Sequence, residues 1–518
     1  MMVLRTAALC LLLAASTAVA APPPAPILFH VSLSPAATTV ASGRLLVFAR
    51  PWGVADPVPA AVDTNAFRPA AVFVAAEEVE SLAPGAAHWV NGDNLAFPAP
   101  FSSLKPGAYA VQAGLDVRHS YSYGGRTAED PVSAVTRIEI GETATAPIVL
   151  VLLPVAEPAA AALSADTPGV APLDFTSPLL SAFSGRDTHI RGWVATPPGY
   201  DGSDRKTRYP VVYWTHGFGG NLKNIRTTAL RFRKGMETGA APPMVFVVLD
   251  ESLSTGTHEF ADSANNGPWG AALTTELIPE LERRYSLDRG ASGRFLTGHS
   301  SGGWATLWLQ TRYPKMFGGT WSTSPDPSDF HDFTGVDIYA PDASVYEAAD
   351  GTARPLVRDH DRVLVSLKTF ARLEHVLGTY GGQMSSFDWV FSPRAPDGRP
   401  APMFDRATGK VDPAVVAYWR EHYDIAWRLA RDWKVLKPDL DGKIHVFVGA
   451  ADTFYLDGAA HRLQAVLDGL GAHSEFRFIP DRTHGDLYRI GADPRGLETE
   501  ILWAMYRKAR PGTKLSPK

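Results

Sequence analysis

After residue 173 the chain alternates apolar runs of strand length with amphipathic runs of helix length. "YPVVYWTH", "MVFVVLD", "RFLTG", "GGTWSTSP", "KIHVFVGA" and "SEFRFIP" read as strands. "ALTTELIPELERRY", "SGGWATLWLQTRYP", "AHRLQAVLDGLG" and "GLETEILWAMYRKAR" read as helices. A strand such as "MVFVVLD" is apolar on both faces and must be covered on both, so the alternation dictates a mostly parallel, doubly wound α/β sheet. In such sheets the chemistry collects beyond the carboxyl ends of the strands.

One passage from strand to helix is unusually tight. "RFLTGHSSGGWATLWLQ", Arg294 to Gln310, contains Gly298-His299-Ser300-Ser301-Gly302. That is G-x-S-x-G between a strand and a helix, the context of a nucleophile elbow, in which the serine hydroxyl is pushed outward. Taken alone, the pattern also fits a glycine-rich turn with an incidental serine. A second loop supports the chemical reading: "WTHGFGG", Trp214 to Gly220, closes an earlier strand. Acyl transfer develops an oxyanion, and the donors expected for it are the backbone N–H groups of Phe218 and Ser301.

A serine hydroxyl also needs a base, and the base needs a carboxylate to orient it. In this fold the order is serine, acid, histidine. Asp452 in "VFVGAADTFYLD" follows one late strand, and His484 in "FIPDRTHGD" follows the next. Asp457 and Asp481 compete as acids; the first lies further from the strand end, and the second is placed to cap a turn. His258, His299, His375 and His473 are not at the end of a late strand.

Taken together, "HGFGG", "HEFADSANNGPWG", "GHSSGG", "GAADTF" and "DRTHGD" resemble the "Putative esterase" family of α/β-hydrolases, over roughly 187–510. That family includes esterase D, enterochelin esterases and secreted feruloyl-esterase modules. The resemblance implies cleavage of carboxylic esters, sometimes with acyl transfer, and neither metal nor organic cofactor. Two features depart from it. An insertion at 325–441 lengthens the path from Ser300 to Asp452, and the N-terminal region lies outside the shared core.

Trp269 and His299 are the candidates for substrate contact, Trp269 because "HEFADSANNGPWG" follows the strand ending at Asp250. Pro268 fits a helix entry equally well. His258, Glu259 and Asp262 on the same stretch are too mixed a set to argue for a metal. The insertion's Trp389, Tyr418, Trp419, Tyr423, Trp427 and Trp433 fall partly at helical spacings, which favours packing over a carbohydrate or aryl-ester platform.

Upstream, "LLVFAR", "AAVFVA", "YAVQAGLDV", "TRIEI" and "PIVLVLL" are short strands between turns, the pattern of a β-sandwich of roughly seven strands over 26–155. Residues 156–172, rich in Ala and Pro, read as a linker to a catalytic domain over 173–518. Residues 1–20 read as a signal peptide, which makes the expected location periplasmic or secreted. The only cysteine, Cys10, would leave with it, so stability must come from core burial.

A net charge of −5 with 20% charged residues provides no positive field for nucleic acid. No later apolar run reaches the length of a membrane span. The expected function is an exported serine esterase that works through an acyl-enzyme on a small-molecule or polymer-linked ester. The alternatives are an acyltransferase of the same fold, or a non-catalytic envelope- or polysaccharide-binding protein.

Overall fold

The strand that leads to Ser300 runs through the middle of an eight-stranded sheet in a computed structural model of the chain. The structure describes residues 25–517 apart from 54–56, 58, 66, 122–125, 128, 142–145, 155–166 and 379. The expected signal peptide, and most of the expected linker, lie outside the described residues.

From one edge the strand order is Ser474–Ile479, Ile444–Gly449, Gly319–Thr323, Arg294–His299, Val211–Thr215, Val245–Leu249, His189–Ala195, Val170–Thr176. The first six are mutually parallel. The last two turn antiparallel, one after the other. Because Val170–Thr176 is an edge strand of this sheet, the linker expected to reach 172 ends before Val170. Its backbone pairs along His189–Ala195, which a solvated spacer cannot do.

Val245–Leu249 is buried at every position, as its uniformly apolar sequence requires. One face packs against the helices Leu222–Thr238 and Gly496–Ala509 through Phe232, Phe246, Ile501 and Trp503. The other packs against the helix Ser301–Arg312, the helical stretch 269–284 and the insertion. The stretch 269–284 is α-helical at both ends, with a π-turn over Leu273–Leu277 between them.

The N-terminal strands form two sheets. Ala96–Phe97, Phe73–Leu82, Ala41–Pro51, Gly107–Asp116 and Thr136–Ile140 make an antiparallel five-stranded sheet; Ala87–Asn91, Leu28–Leu33 and Ile148–Leu152 make a three-stranded one. Leu45, Val47 and Val111 of the first meet Phe29, Val31 and Leu150 of the second in a shared core. The opposite face of the larger sheet is also covered. Leu46, Phe48 and Val74 pack against Leu373, Val376 and Leu377, on the insertion helix Leu367–Leu377.

The strand Ala41–Pro51 is therefore buried on both faces, and that is why "LLVFA" is apolar throughout instead of alternating. Arg44 secures the junction. Its Nε and Nη2 donate to the carbonyl of Val376, at 2.9 and 2.8 Å, and its Nη1 pairs with Glu78. Those contacts satisfy an otherwise open carbonyl in the last turn of the helix with a positive charge, the sign a helix C-terminus prefers.

Candidate active site

The turn at Ser300 is as tight as its glycines require. Ser300 has φ 61° and ψ −126°, a left-handed backbone that a non-glycine residue adopts only when its surroundings impose it. A Cβ on Gly298 would lie 2.3 Å from the carbonyl oxygen of Gly302, so the strand and the helix can pass this closely only without it. The loop after Val211–Thr215 comes equally near. A Cβ on Gly217 would lie 2.8 Å from Ser300 Cβ and 3.4 Å from its Oγ.

His216 shapes this loop. Its Nδ1 lies 2.7 Å from the carbonyl oxygen of Gly217, while its Nε2 lies 3.0 Å from Asp250 Oδ1 and 2.9 Å from the backbone nitrogen of Glu251, so the ring ties the loop to the end of the neighbouring strand. Phe218, one of the expected oxyanion donors, is the next residue. Ser301, the other, begins the helix that follows Ser300; its N–H belongs to the first turn, where helical N–H groups have no intrahelical partner.

Asp452 and His484 come together at the ends of neighbouring strands. His484 Nδ1 lies 2.9 Å from Asp452 Oδ2, with the Asp452 side chain fully buried and that of His484 13% exposed. Burial alone would push the Asp452 carboxyl up, but the charge and hydrogen bond of His484 outweigh it and hold the group below the usual carboxylate range. Burial alone would likewise depress His484; Asp452 overrides this and raises it above an ordinary imidazole.

The competing acids are placed differently: Asp481 is exposed in a turn, and Asp457 is engaged by an arginine. Asp457 accepts from Arg358 Nη2 at 2.7 Å, and among the described residues Asp452 is the only carboxylate hydrogen-bonded to His484. Arg358 also donates through Nε to the carbonyl of Asp452 at 2.7 Å and lies 4.2 Å from the ring centroid of Tyr455, so it braces the loop that carries Asp452.

His299 lies beside His484, with ring centroids 4.4 Å apart. Burial and the neighbouring His484 push its imidazole down to about 3, so it is neutral. Trp269 is elsewhere. It is 4% exposed, stacks on His258 at 3.6 Å and 6°, and donates to the carbonyl of Asn266. It is absent from the lining of the cavity at Ser300; Pro268 does enter a helix, and the indole fills the space behind it. His258, Glu259 and Asp262 do not converge either, since Asp262 accepts from the N–H of Ala271 and the hydroxyl of Tyr313.

Sequence reasoning passed over Asp326. Ser300 Oγ donates to its Oδ1 at 3.4 Å, and Ser301 Oγ to its Oδ2 at 2.7 Å. Burial pushes this carboxyl up to about 6 against those hydrogen bonds. Its signal was present, because "STSPD" places an acid just past the end of the strand beside the one that carries Ser300. The cavity at Ser300 is small, about 30 Å³. Asp326, Thr334 and Gln383 give it a few polar groups, while Leu356, Phe370, Met384, Phe387, Phe454 and Leu456 make the rest apolar.

A family model described as "Putative esterase" matches residues 183–475, more than half of the chain, and the chain belongs to that family. It is a carboxylic ester hydrolase with the α/β-hydrolase fold. Among solved structures it is similar to an S-formylglutathione hydrolase from Agrobacterium tumefaciens, at 13% identity and a TM-score of 0.39, covering 68% of this chain and 99% of that one. It is also similar to FphF, a fluorophosphonate-binding serine hydrolase of Staphylococcus aureus, at 13% identity and a TM-score of 0.36, covering 66% and 99%. A ferulic acid esterase from Anaeromyces mucronatus matches at 13% identity and a TM-score of 0.35, covering 65% and 90%.

Proposed function

We propose that the protein is an exported serine esterase in which Ser300 is the nucleophile, His484 the base and Asp452 the acid. The observation that carries this reading is the buried Asp452–His484 pair standing at the strand ends beside a strained, outward-turned serine. His484 takes the Ser300 proton as Oγ attacks the ester carbonyl. The N–H groups of Phe218 and Ser301 receive the oxyanion, and the proton then passes from His484 to the departing alcohol. Water, deprotonated by the same imidazole, attacks the acyl-enzyme and releases the acid. Asp452 stabilises the imidazolium in both halves.

The apolar cavity receives the acyl group, with the insertion residues Leu356, Phe370, Met384 and Phe387 forming its far wall. Ser300 Oγ rests toward Asp326 and turns toward His484 to react. Export rests on residues 1–20, where Arg5, an apolar core and Ala18-Val19-Ala20 follow the order of a signal peptide.

A fluorophosphonate probe tests the assignment. Labelling at Ser300, lost in Ser300→Ala together with hydrolysis of p-nitrophenyl esters, is the expected result. Labelling at another serine, or ester turnover that persists in the folded variant, would overturn it.

A further inference from the structure

We propose that a cleft behind the helix Gln383–Phe391, on the side away from Ser300, binds a neutral pyranosyl residue of a glycan. The helix separates two cavities. Met384 and Phe387, three positions apart, share the face that lines the acyl cavity. Ser385, Asp388 and Trp389 line the other, an open cleft of about 270 Å³, together with Tyr380, Arg399 and Arg406. The i, i+3 and i+4 spacing of a helix puts these two sets on different faces.

Three observations define the ligand. The first is aromatic: Tyr380 and Trp389 are half-buried, with ring centroids 5.8 Å apart and planes inclined at 32°, so the wall offers ring faces to an apolar surface. Of the six insertion aromatics singled out in the sequence, Trp419, Tyr423 and Trp433 are consumed by the core, whereas Trp389 lines this cleft.

The second is charge. Asp388, with its side chain 10% exposed, is paired with Arg406 Nη2 at 2.6 Å and also accepts from the N–H of Met403. Asp397 and Arg399 add one charge of each sign at the mouth. The lining therefore balances, which suits a neutral ligand and gives an anion nothing to gain.

The third is the kind of polar group. With Asp388 and Arg406 paired to each other, Asp397, Arg399 and the Ser385 hydroxyl offer acceptors and a planar donor fork beside an aromatic wall. A pyranose matches both halves: its C–H face lies on the rings, and its equatorial hydroxyls reach the polar rim. The cleft also lies where the N-terminal region meets the insertion, since the Tyr380 ring stands 5.9 Å from that of His119. Junctions of this kind are common places for ligand pockets.

This inference does not depend on the esterase assignment, because its test reads binding. Native gels cast with hydroxyethyl cellulose, galactomannan or arabinoxylan, and with polygalacturonate as the anionic contrast, measure it on the full chain. The expected result is retardation by at least one neutral polymer and none by polygalacturonate. That retardation should be lost in Trp389→Ala and weakened several-fold in Arg399→Ala, whose side chain is exposed and whose replacement leaves the melting temperature unchanged. Free migration in all three neutral polymers would overturn the proposal. So would retardation that survives in both variants, or retardation by polygalacturonate alone.

Discussion

Around Ser300 the sheet supplies one wall and the insertion the other. On the sheet side each group of the proposed site sits within a few residues of a strand end: Ser300 after His299, Asp452 after Gly449, His484 after Ile479, the loop of Phe218 after Thr215. Their positions follow from strand register, and their charges are balanced by one another. On the insertion side Leu356, Phe370, Met384 and Phe387 come from a hairpin and two helices whose places are set by packing on the N-terminal sheet and on the core. The difference teaches that the groups proposed for the reaction are placed by topology, whereas the cavity proposed for the acyl group is placed by tertiary contacts. Substitutions on the two sides should consequently fail in different ways.

The largest expected effect is on the sheet side. Ser300→Ala should lower kcat by roughly 10⁴ to 10⁶, the usual range when a nucleophile of this kind is lost, while the melting temperature stays within a few degrees. A steady-state assay on p-nitrophenyl acetate checks it, and more than a few per cent of residual turnover would break the contrast at its root.

Next come the acids. Asp452→Asn should cost on the order of 10³ to 10⁴ in kcat, because only a carboxylate fixes the His484 tautomer and stabilises its cation. Asp457→Asn should cost less than about tenfold, acting only through Arg358 and the loop. Asp326→Asn is distinguished by pH. The wild-type acid limb of kcat/KM should lie above an ordinary imidazole, since the His484 pKa is raised and the neutral form is the base. Removing the negative charge of Asp326, which helps raise it, should move that limb to lower pH. A limb that stays in place would remove Asp326 from the electrostatics of the site.

On the insertion side the effect should be smaller and selective. Met384→Ala lengthens the acyl cavity without touching the reacting groups. The ratio of kcat/KM for octanoyl over acetyl p-nitrophenyl esters should rise about tenfold, the scale on which a hydrophobic pocket discriminates methylenes. An unchanged ratio, or an equal fall for both esters, would mean that the insertion does not shape acyl selection.

The same contrast explains what could be read from the sequence. Uniformly apolar strands, the elbow glycines and the order of Ser300, Asp452 and His484 are local signals, and the parallel sheet and its strand ends were legible from them. Asp326 carried such a signal too, but it stands where the insertion begins, so its place depends on the path of that insertion as well as on the strand end. Arg358 did not, because its role depends on a hairpin folding back onto a loop about 95 residues later. Trp269 follows a strand end as a site residue would, but a strand end does not say which way the side chain turns, and the indole stacks on His258.

The N-terminal region shows the same limit: "LLVFA" was read as a strand of a separate sandwich, though a continuous apolar run is itself the mark of two buried faces. The second of those faces meets Leu373, Val376 and Leu377. At about 2 kcal/mol for each buried aliphatic side chain, that contact is too costly to expose to solvent.

The smallest expected effect on turnover concerns two buried acids near the loop after Thr215, Glu251 and Glu259, whose substitution is read in stability instead. Glu251 is fully buried, accepts one hydrogen bond from Thr215 at 2.8 Å, and has an Oε1 with no partner. Burial, with Asp326 and Asp250 nearby, pushes it up to about 8 despite the opposing His216 and Thr215. Glu259 is also fully buried and is raised well above the usual range by burial, Asp326 and Glu251. Both therefore hold a proton in the folded state near neutral pH that the unfolded chain releases. A group whose folded pKa is raised stabilises fully below its unfolded value and loses that contribution as pH rises through the folded one. Stability should accordingly fall as pH rises from about 4.5 toward about 8, each acid contributing a slope of at most roughly 1.4 kcal/mol per pH unit. Glu251→Gln keeps an acceptor for Thr215 and cannot ionise, so it should make the slope shallower, and adding Glu259→Gln shallower still, while Asp326 and Asp424, raised to about 6, keep part of it below that pH. Urea melts at pH 5.5, 6.5 and 7.5 read this directly. Parallel pH profiles for wild type and the double variant would show that these carboxyls are ionised in the folded protein, and the sheet side of the site would then carry uncompensated charge.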